Sequence, residues 1–232
     1  MKEWKFAFNR TAPVMFGYLF LGFAFGVLMT QAGYSAVWCA LSSVLIYAGS
    51  MQFILVELLA SGAGLGLAAV MTLLINSRHL FYGLSFIGRF RGMGLSKLYA
   101  IFALTDETYS VLCALPEELS TPGRILRISL LDHLYWIAGS VLGGLAGAAL
   151  PFDTTGLDFC MTAFFAIIFI EQWLSAGVHA PAATGLVSAA VFLALLGPDA
   201  FILPSLAATV IVLLLARGTL EKKLGREAAQ NE

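Results

Sequence analysis

Long apolar runs separated by short turns constrain this chain more than any other feature. A helix needs about 20 apolar residues to cross the hydrocarbon core of a bilayer. Runs of that order occur at residues 14–31, 35–58, 64–88, 98–115, 128–150, 159–177, 181–197 and 199–216. The sequence therefore predicts an all-α polytopic membrane protein with about six to eight hydrophobic helices.

The composition leaves no room for a separate soluble domain. Hydrophobic residues make up 59% of the 232 residues and charged residues 12%, whereas soluble domains carry about 25% charged residues. We predict a single transmembrane domain over residues 1–216 and a short charged tail over 217–232. The formal net charge of -1 gives no reason to expect a nucleic-acid partner. Because no CxxC motif or metal-spaced histidine set occurs, we predict neither a metal nor another cofactor.

Basic residues indicate the orientation of the chain, because Lys and Arg concentrate in cytoplasmic loops. Nine of the 13 basic residues lie near the termini and in one loop, at Lys2, Lys5, Arg10, Arg124, Arg127, Arg217, Lys222, Lys223 and Arg226. Both termini and the loop with Arg124 are therefore predicted to be cytoplasmic, and the acidic loop at 152–158 external. Eight full crossings would nevertheless place the basic loop at 89–97 outside.

This conflict disappears if one segment before the loop and the segment after it each enter and leave the bilayer on one side. Segment 35–58 contains Tyr47-Ala48-Gly49-Ser50-Met51-Gln52, and segment 98–115 contains Thr105-Asp106-Glu107. Both are candidates for broken or re-entrant helices. The alternative is that Arg89 and Lys97 extend outward from helix ends and the loop departs from the charge rule.

A recurring spacing of small residues indicates a possible internal two-fold repeat. Gly17, Gly22 and Gly26 are spaced by five and four residues, and the same spacing recurs at Gly139, Gly144 and Ala148. Small residues at such intervals let helices approach closely. The alternative interpretation is therefore two independent packing seams.

Two polar clusters, at residues 76–79 and 104–109, interrupt the apolar runs. An ionisable group at membrane depth costs roughly 2.5–3.5 kcal/mol, so such groups persist mainly where they face a cavity, a partner or a pathway. Two clusters of this kind in one small membrane protein favour transport.

Several ordered motifs resemble the AzlC/YgaZ family. They are Gly17-Tyr18, Gly22-Phe23-Ala24-Phe25-Gly26, Tyr47-Ala48-Gly49-Ser50-Met51-Gln52-Phe53, Asn76-Ser77-Arg78-His79-Leu80-Phe81-Tyr82-Gly83, Leu104-Thr105-Asp106-Glu107-Thr108-Tyr109 and Gly156-Leu157-Asp158-Phe159. The resemblance implies the large subunit of a two-component exporter of branched-chain amino acids in the bacterial inner membrane. Such proteins resemble proton-driven secondary transporters that work with a small hydrophobic subunit of the AzlD type.

A zwitterionic amino acid needs partners for its carboxylate and its ammonium group. A half-helix N-terminus at Gly49 and Ser50, with Gln52 nearby, would receive the carboxylate. Arg78 is a rival clamp because its guanidinium makes two-point contacts. Asn76, from the same cluster, completes the predicted substrate-binding set.

Each substrate-binding assignment has a structural alternative. Gly49 and Ser50 suit close helix packing, and Gln52 suits an interhelical hydrogen bond. Asn76 shares a helix face with His79, whereas Arg78 lies on the opposite face. Arg78 would then pair with Asp106 or Glu107 as a structural lock, or lie at a headgroup boundary.

Asp106 and Glu107 are the predicted proton-coupling residues, with His79 as the third candidate. Removal from water disfavours the charged form of a carboxyl group, a property that a proton-coupled exporter needs. Adjacent helical residues point about 100° apart, so one carboxylate should face the pathway and the other a partner charge. A purely structural role for all three is the alternative.

One further polar pair, Asp132-His133, is predicted to lie at the membrane boundary. It follows the apparent turn Thr121-Pro122-Gly123, opens segment 128–150 and sits beside Tyr135 and Trp136. Tyr and Trp are typical of membrane interfaces.

Two other functional classes compete with the exporter. An ion or small-solute channel would use the same intramembrane polar groups without a saturable step. An intramembrane enzyme is disfavoured, because the sequence contains no H-E-x-x-H or G-x-S-x-G motif.

Overall fold

The computed structural model describes residues 2–149, 162–163, 166, 169–170, 173–174, 178–197 and 200–230. Every regular element in these ranges is helical, which confirms the predicted all-α class. The helices are α1 (Lys2–Gln31), α2 (Ala36–Leu45), α3 (Gly49–Ala60), α4 (Leu65–Phe86), α5 (Ser96–Phe102), α6 (Asp106–Cys113), α7 (Pro122–Ala149), α8 (Ala180–Leu196) and α9 (Ile202–Gln230), with a 3-10 turn at Glu117–Leu119. Among the described helices, α1, α4 and α7 are long and apolar enough to cross a membrane.

The chain divides into two compact units, Met1–Met161 and Thr162–Glu232. In the second unit, α8 and α9 pack against each other, and Trp173 stacks on His179 with ring centroids 4.3 Å apart. The helix α9 continues through the charged sequence after residue 216. The domain boundary predicted there stays a prediction, and the predicted external loop at 152–158 lies outside the described residues.

The helices α1 and α7 form the centre of the first unit and run parallel to each other. Near one end, Glu3 pairs with Arg124 at 2.7 Å; near the other, Thr30 donates to the Gly144 carbonyl at 3.1 Å. Residue numbers therefore rise together along both helices. Both N-termini lie at the same end of the unit, which we call the basic end because it carries Lys2 and Arg124.

Glycines bring α1 and α7 close together. A Cβ added at Gly26 would lie within 3.0 Å of the backbone at Ser140 and Gly143, and one at Gly143 would come equally close to Phe23. Such small residues allow backbones to approach closely in membrane helices. Gly22 and Gly26 thus face Gly139 and Gly144 across one seam, whereas Gly17 lies outside it. The interpretation as two independent seams is wrong, and the internal repeat stays a prediction.

The helices α2 and α3 form a first hairpin, which enters from the end opposite the basic end. α2 begins beside Gly144, and by Ser43 it has reached His133 near the middle of α7. The chain reverses at residues 46–48. Gln52 on α3 then donates back to Ser43 on α2 at 3.2 Å, so the two half-helices lie side by side.

The helix α4 runs from the far end of the unit to the basic end. α4 begins five residues after the end of α3, which runs away from the hairpin tip, and its Thr72 hydroxyl then lies 3.7 Å from Met51 Sδ on α3. At its other end, Phe86 packs in an apolar cluster with Ala7 of α1. The helix therefore crosses the whole depth of the unit.

The helices α5 and α6 form a second hairpin, which enters from the basic end. Ala100 on α5 and Leu112 on α6 both join the apolar cluster around Ala7. The chain reverses between them, where the Thr105 hydroxyl lies 2.6 Å from the Tyr18 hydroxyl near the middle of α1. The two hairpins therefore approach the middle of the unit from opposite ends.

These hairpins resolve the charge conflict in the sequence. The basic loop at 89–97 joins α4 to α5 and lies at the basic end, with the N-termini of α1 and α7. The prediction that segments 35–58 and 98–115 are broken or re-entrant is confirmed. Arg89 turns inward and donates to the Leu112 carbonyl at 2.6 Å, where the C-terminus of α6 favours a cation. The alternative that Arg89 extends outward is wrong.

Gly26→Ala should destabilise the seam between α1 and α7, because the added methyl group has no space there. Overpacking of this kind costs about 1–3 kcal/mol, which lowers the Tm of a chain of this length by about 2–12 °C. Thermal unfolding of the purified protein in detergent measures this shift. Gly17→Ala is the matched control, since a Cβ at Gly17 meets nothing within 4 Å. Equal Tm values for the two variants would contradict the glycine seam.

Candidate functional site

Arg78 lies between the two hairpins and contacts the first turn of the half-helix that follows each reversal. Its Nη2 atom is 2.8 Å from Asp106 Oδ2 on α6 and donates to Ser50 Oγ on α3 at 2.7 Å. Tyr82 donates to the second Asp106 oxygen at 2.5 Å. Arg78 and Tyr82 are four residues apart and share a face of α4, so this one helix supplies both partners. The side chains of the ion pair remain 24% and 27% exposed.

The N-termini of α3 and α6 both face this arginine. A helix N-terminus presents unpaired N–H groups and the positive end of the helix dipole. In α6, Thr105 accepts from the Thr108 N–H at 3.4 Å, and the acidic pair occupies the first turn. In α3, Ala48 provides no side-chain cap, and its own N–H donates to Gln52 Oε1 at 3.3 Å. The surroundings of Arg78 therefore favour an anion.

Gln52 is completely buried and uses both ends of its amide inside the protein. Its Oε1 accepts from Trp136 Nε1 at 2.9 Å, in addition to the Ala48 N–H. Its Nε2 donates to Ser43 Oγ at 3.2 Å. Gln52 thus ties both half-helices of the first hairpin to α7. Its predicted contact with substrate stays a prediction.

Gly49, Asn76 and His79 lie around the arginine with different surroundings. A Cβ at Gly49 would lie 3.1 Å from the Trp136 ring, so the start of α3 packs directly on that ring. Asn76 Oδ1 is buried and makes no hydrogen bond to any described residue. The His79 ring centroid lies 5.8 Å from that of Tyr82. Of the predicted site residues, the closest group is therefore Ser50, Arg78 and Asp106.

Glu107 points away from Arg78 and toward α1. Tyr18 donates to its Oε2 at 2.7 Å, and the same Tyr18 hydroxyl lies 2.6 Å from Thr105 Oγ1. Thr105 donates to Thr108 Oγ1 at 3.1 Å, and Thr108 donates to Asp132 Oδ2 at 3.0 Å. The two adjacent carboxylates of α6 therefore serve different parts of the site, as their helical spacing predicts.

Asp132 and His133 do not lie at a membrane boundary, so that prediction is wrong. Asp132 is fully buried and His133 is 6% exposed. The helix begins at Pro122, six residues before the predicted start. Asp132 consequently lies about 15 Å along α7, at the level of both hairpin tips.

His133 connects the two hairpins. Its Nε2 lies 3.1 Å from the Ser43 carbonyl oxygen on α2, and its Nδ1 lies 3.0 Å from the Tyr99 hydroxyl on α5. Because a carbonyl oxygen only accepts, Nε2 carries the donated proton, and Nδ1 accepts from Tyr99 in the neutral ring. Tyr47, at the tip of the first hairpin, stacks on the imidazole with centroids 4.1 Å apart.

Several residues of this polar centre are not among the predicted site residues. They include Tyr18, Tyr82, Thr105, Thr108, Asp132 and His133. One signal for Asp132 was present, because Asp132, Trp136 and Ser140 recur every four residues on the face that also carries Gly139 and Gly143. A polar residue on a glycine-rich packing face points into the protein rather than toward a headgroup.

Two opposed re-entrant hairpins around a buried polar centre define a polytopic membrane protein with discontinuous helices at mid-depth, the arrangement that forms solute sites in secondary transporters. Residues 13–150, more than half of the chain, match the family described as AzlC protein. The chain belongs to the AzlC family, which confirms the resemblance found in the sequence.

Individual relatives agree with this assignment. The chain is 42% identical over 218 residues to the branched-chain amino acid transport protein AzlC of Bacillus subtilis, covering 93% of this chain and 86% of the relative. It is 41% identical to an uncharacterized membrane protein of Helicobacter pylori, covering 95% and 98%. It is 31% identical to the inner membrane protein YgaZ of Escherichia coli, covering 66% of each chain. No solved structure matches the chain.

Gln52→Leu should destabilise the first hairpin, because it leaves the Trp136 and Ala48 N–H groups without their acceptor. An unsatisfied buried polar group costs about 1–3 kcal/mol, and thermal unfolding in detergent would show a Tm lowered by about 2–12 °C. Gln31→Leu, at the exposed end of α1, is the matched control. An unchanged Tm in Gln52→Leu would show that the amide does not hold the hairpin.

Proposed function

We propose that this protein is a secondary transporter that exports branched-chain and similar apolar amino acids in exchange for protons. It acts as the large subunit of a two-component permease, with a small hydrophobic AzlD-type membrane subunit. Membership of the AzlC family and the name of the Bacillus subtilis relative support transport of these substrates. Since the relatives are named as transport or membrane proteins, we propose no catalysed reaction.

The observation that carries this proposal is the position of Arg78 between the first turns of α3 and α6. Asp106 occupies the anion position beside the guanidinium. The carboxylate of an amino acid has the same charge and planar shape, so it competes with Asp106 for Arg78. A displaced Asp106 then offers its charge to the substrate ammonium group. Substrate exchanges one ion pair for two.

The predicted substrate-binding residues take distinct parts in this proposal. Arg78 and Ser50 bind the carboxylate, together with the backbone at Gly49. Asn76 offers an acceptor, Oδ1, that has no partner among the described residues. Gln52 acts indirectly, by fixing the start of α3.

Proton coupling belongs to the acidic pair of α6 and to His79. Asp106 forms the ion pair with Arg78, and Glu107 accepts a hydrogen bond from Tyr18. His79 is half-buried near Tyr82, on the helix that carries Arg78. We assign the proton-carrying step to these groups because a neutralised carboxylate changes what Arg78 and the substrate ammonium can bind.

The basic end is proposed to face the cytoplasm. It gathers the N-termini of α1 and α7 and the loop at 89–97, and Lys and Arg concentrate on the cytoplasmic side of inner-membrane proteins. The same rule assigns the basic C-terminus to the cytoplasm. The outward side of α4 carries large exposed apolar residues, including Leu65 and Leu73, which suits lipid or the small membrane subunit.

Leucine efflux from cells loaded with a leucine-containing dipeptide tests the proposed function. Cells that contain this protein and its small partner should show saturable efflux that stops when the proton gradient is collapsed. Efflux that rises linearly with internal leucine would favour the channel. Efflux equal to that of cells without the pair would contradict transport of this substrate.

Arg78→Lys should impair leucine efflux although it keeps the positive charge, because an ammonium group cannot make the planar two-point contact of a guanidinium. We expect a loss of at least about tenfold in the initial rate. Arg91→Lys is the matched control, since Arg91 is exposed in the loop at 89–97. Equal efflux from the two variants, at equal amounts in the membrane, would remove Arg78 from the binding site.

A further inference from the structure

A continuous chain of hydroxyl groups joins two carboxyl groups across the centre of the first unit. It runs from Glu107 to Tyr18, then to Thr105 and Thr108, and ends at Asp132. The four oxygen-to-oxygen distances are 2.7, 2.6, 3.1 and 3.0 Å. These groups belong to α6, α1 and α7, and the three hydroxyl groups are buried.

When both carboxylates are charged, the three hydroxyl groups provide one proton fewer than the four hydrogen bonds need. Tyr18 donates to Glu107, Thr105 donates to Thr108, and Thr108 donates to Asp132. Each hydroxyl has only one proton, so with both carboxylates charged the 2.6 Å contact between Tyr18 and Thr105 has none. A proton on either carboxyl group fills all four links. Moving it from one end to the other reverses every donor without moving any heavy atom.

We propose that Glu107 and Asp132 share one proton along these hydroxyl groups. The hydroxyl groups then carry the coupled proton between Glu107, next to the binding site, and Asp132, near the middle of α7. The proposal deepens the proposed function and rests on it for the coupling, but the shared proton itself rests only on the geometry. One proton transferred from the Glu107 carboxyl to Tyr18, and from each hydroxyl to the next, leaves Glu107 ionised and Asp132 protonated, with no other change in charge.

The charges around the two ends agree with a shared proton. Glu107 accepts a hydrogen bond from Tyr18, and its neighbour Asp106 pairs with Arg78. Neither Glu107 nor Asp132 forms an ion pair with a described residue. A single negative charge spread over the chain is less costly to bury than two separate carboxylates.

Aromatic and imidazole groups, rather than cations, surround Asp132. His133 is the next residue on α7, where Tyr47 stacks on its ring and Tyr99 contacts its Nδ1, and Tyr135 lies on the same helix. Asp132 Oδ1 is buried and makes no hydrogen bond to any described residue. A proton delivered by the hydroxyl groups arrives at Oδ2, and rotation of the carboxyl group turns it to the side of Oδ1, where it can leave and another can arrive.

The transport test uses Thr108→Val, which removes the hydroxyl next to Asp132 while keeping the side-chain shape. Protein and small partner are reconstituted in liposomes, and leucine-driven proton movement is followed with a pH-sensitive dye. We expect at least about a tenfold loss of proton movement in Thr108→Val, with exchange of labelled leucine retained. Thr108→Ser, which keeps the hydroxyl, should retain both. Undiminished proton movement in Thr108→Val would overturn the relay.

The infrared test counts the shared proton without requiring transport. Glu107→Gln and Asp132→Asn each bring an amide donor that fills the missing link, so each should remove one carboxylic-acid C=O signal from the wild-type spectrum. Glu118→Gln, exposed in the 3-10 turn, is the control and should leave that signal unchanged. Persistence of the signal in both test variants would overturn the shared proton. Leucine exchange without proton movement in the wild type would instead overturn the proposed coupling.

Discussion

Every backbone polar group within a membrane protein must find a partner inside the protein, and the first unit is built around this constraint. Its two hairpins contain four half-helices, each with N–H or C=O groups that no helical neighbour satisfies. Side chains of the half-helices themselves and of α7 supply the partners. His133 donates to the Ser43 carbonyl, Gln52 accepts from the Ala48 N–H, and Thr105 caps α6. The polar residues at mid-depth therefore hold the hairpins as well as line the candidate site.

The close parallel packing of α1 and α7 makes those contacts possible. Glycines along the seam bring the two helices together, so that Tyr18 on α1 and the polar face of α7 reach the same level. Three positions of that face each engage a different element: Asp132 binds α6, His133 joins α2 to α5, and Trp136 binds α3. The way α1 and α7 are aligned along each other therefore determines where each hairpin tip lies.

The sequence was sufficient to locate the interruptions but not to show that the chain reverses. Polar residues within segments 35–58 and 98–115 predicted broken helices, and the basic loop at 89–97 favoured re-entry. Apolar composition alone cannot distinguish a broken crossing from a hairpin, because both need the same half-helices. The lock between Arg78 and Asp106 was an open alternative, and the structure shows that ion pair. The prediction for Asp132 is wrong because α7 begins at Pro122, where Thr121-Pro122-Gly123 predicts a turn; Pro is well tolerated at the first position of a helix.

The charges of the centre determine which step of a transport cycle the membrane potential can act on. Arg78 and Asp106 cancel, and a zwitterionic amino acid that exchanges into this pair adds no net charge. With the proposed shared proton, the hydroxyl groups between Glu107 and Asp132 carry one negative charge; without it they carry two. Moving one elementary charge across 100 mV is worth about 2.3 kcal/mol. In the proposed transport cycle the potential therefore acts on the proton step, while the pair of Arg78 and Asp106 keeps the proposed substrate position neutral before and after substrate binds.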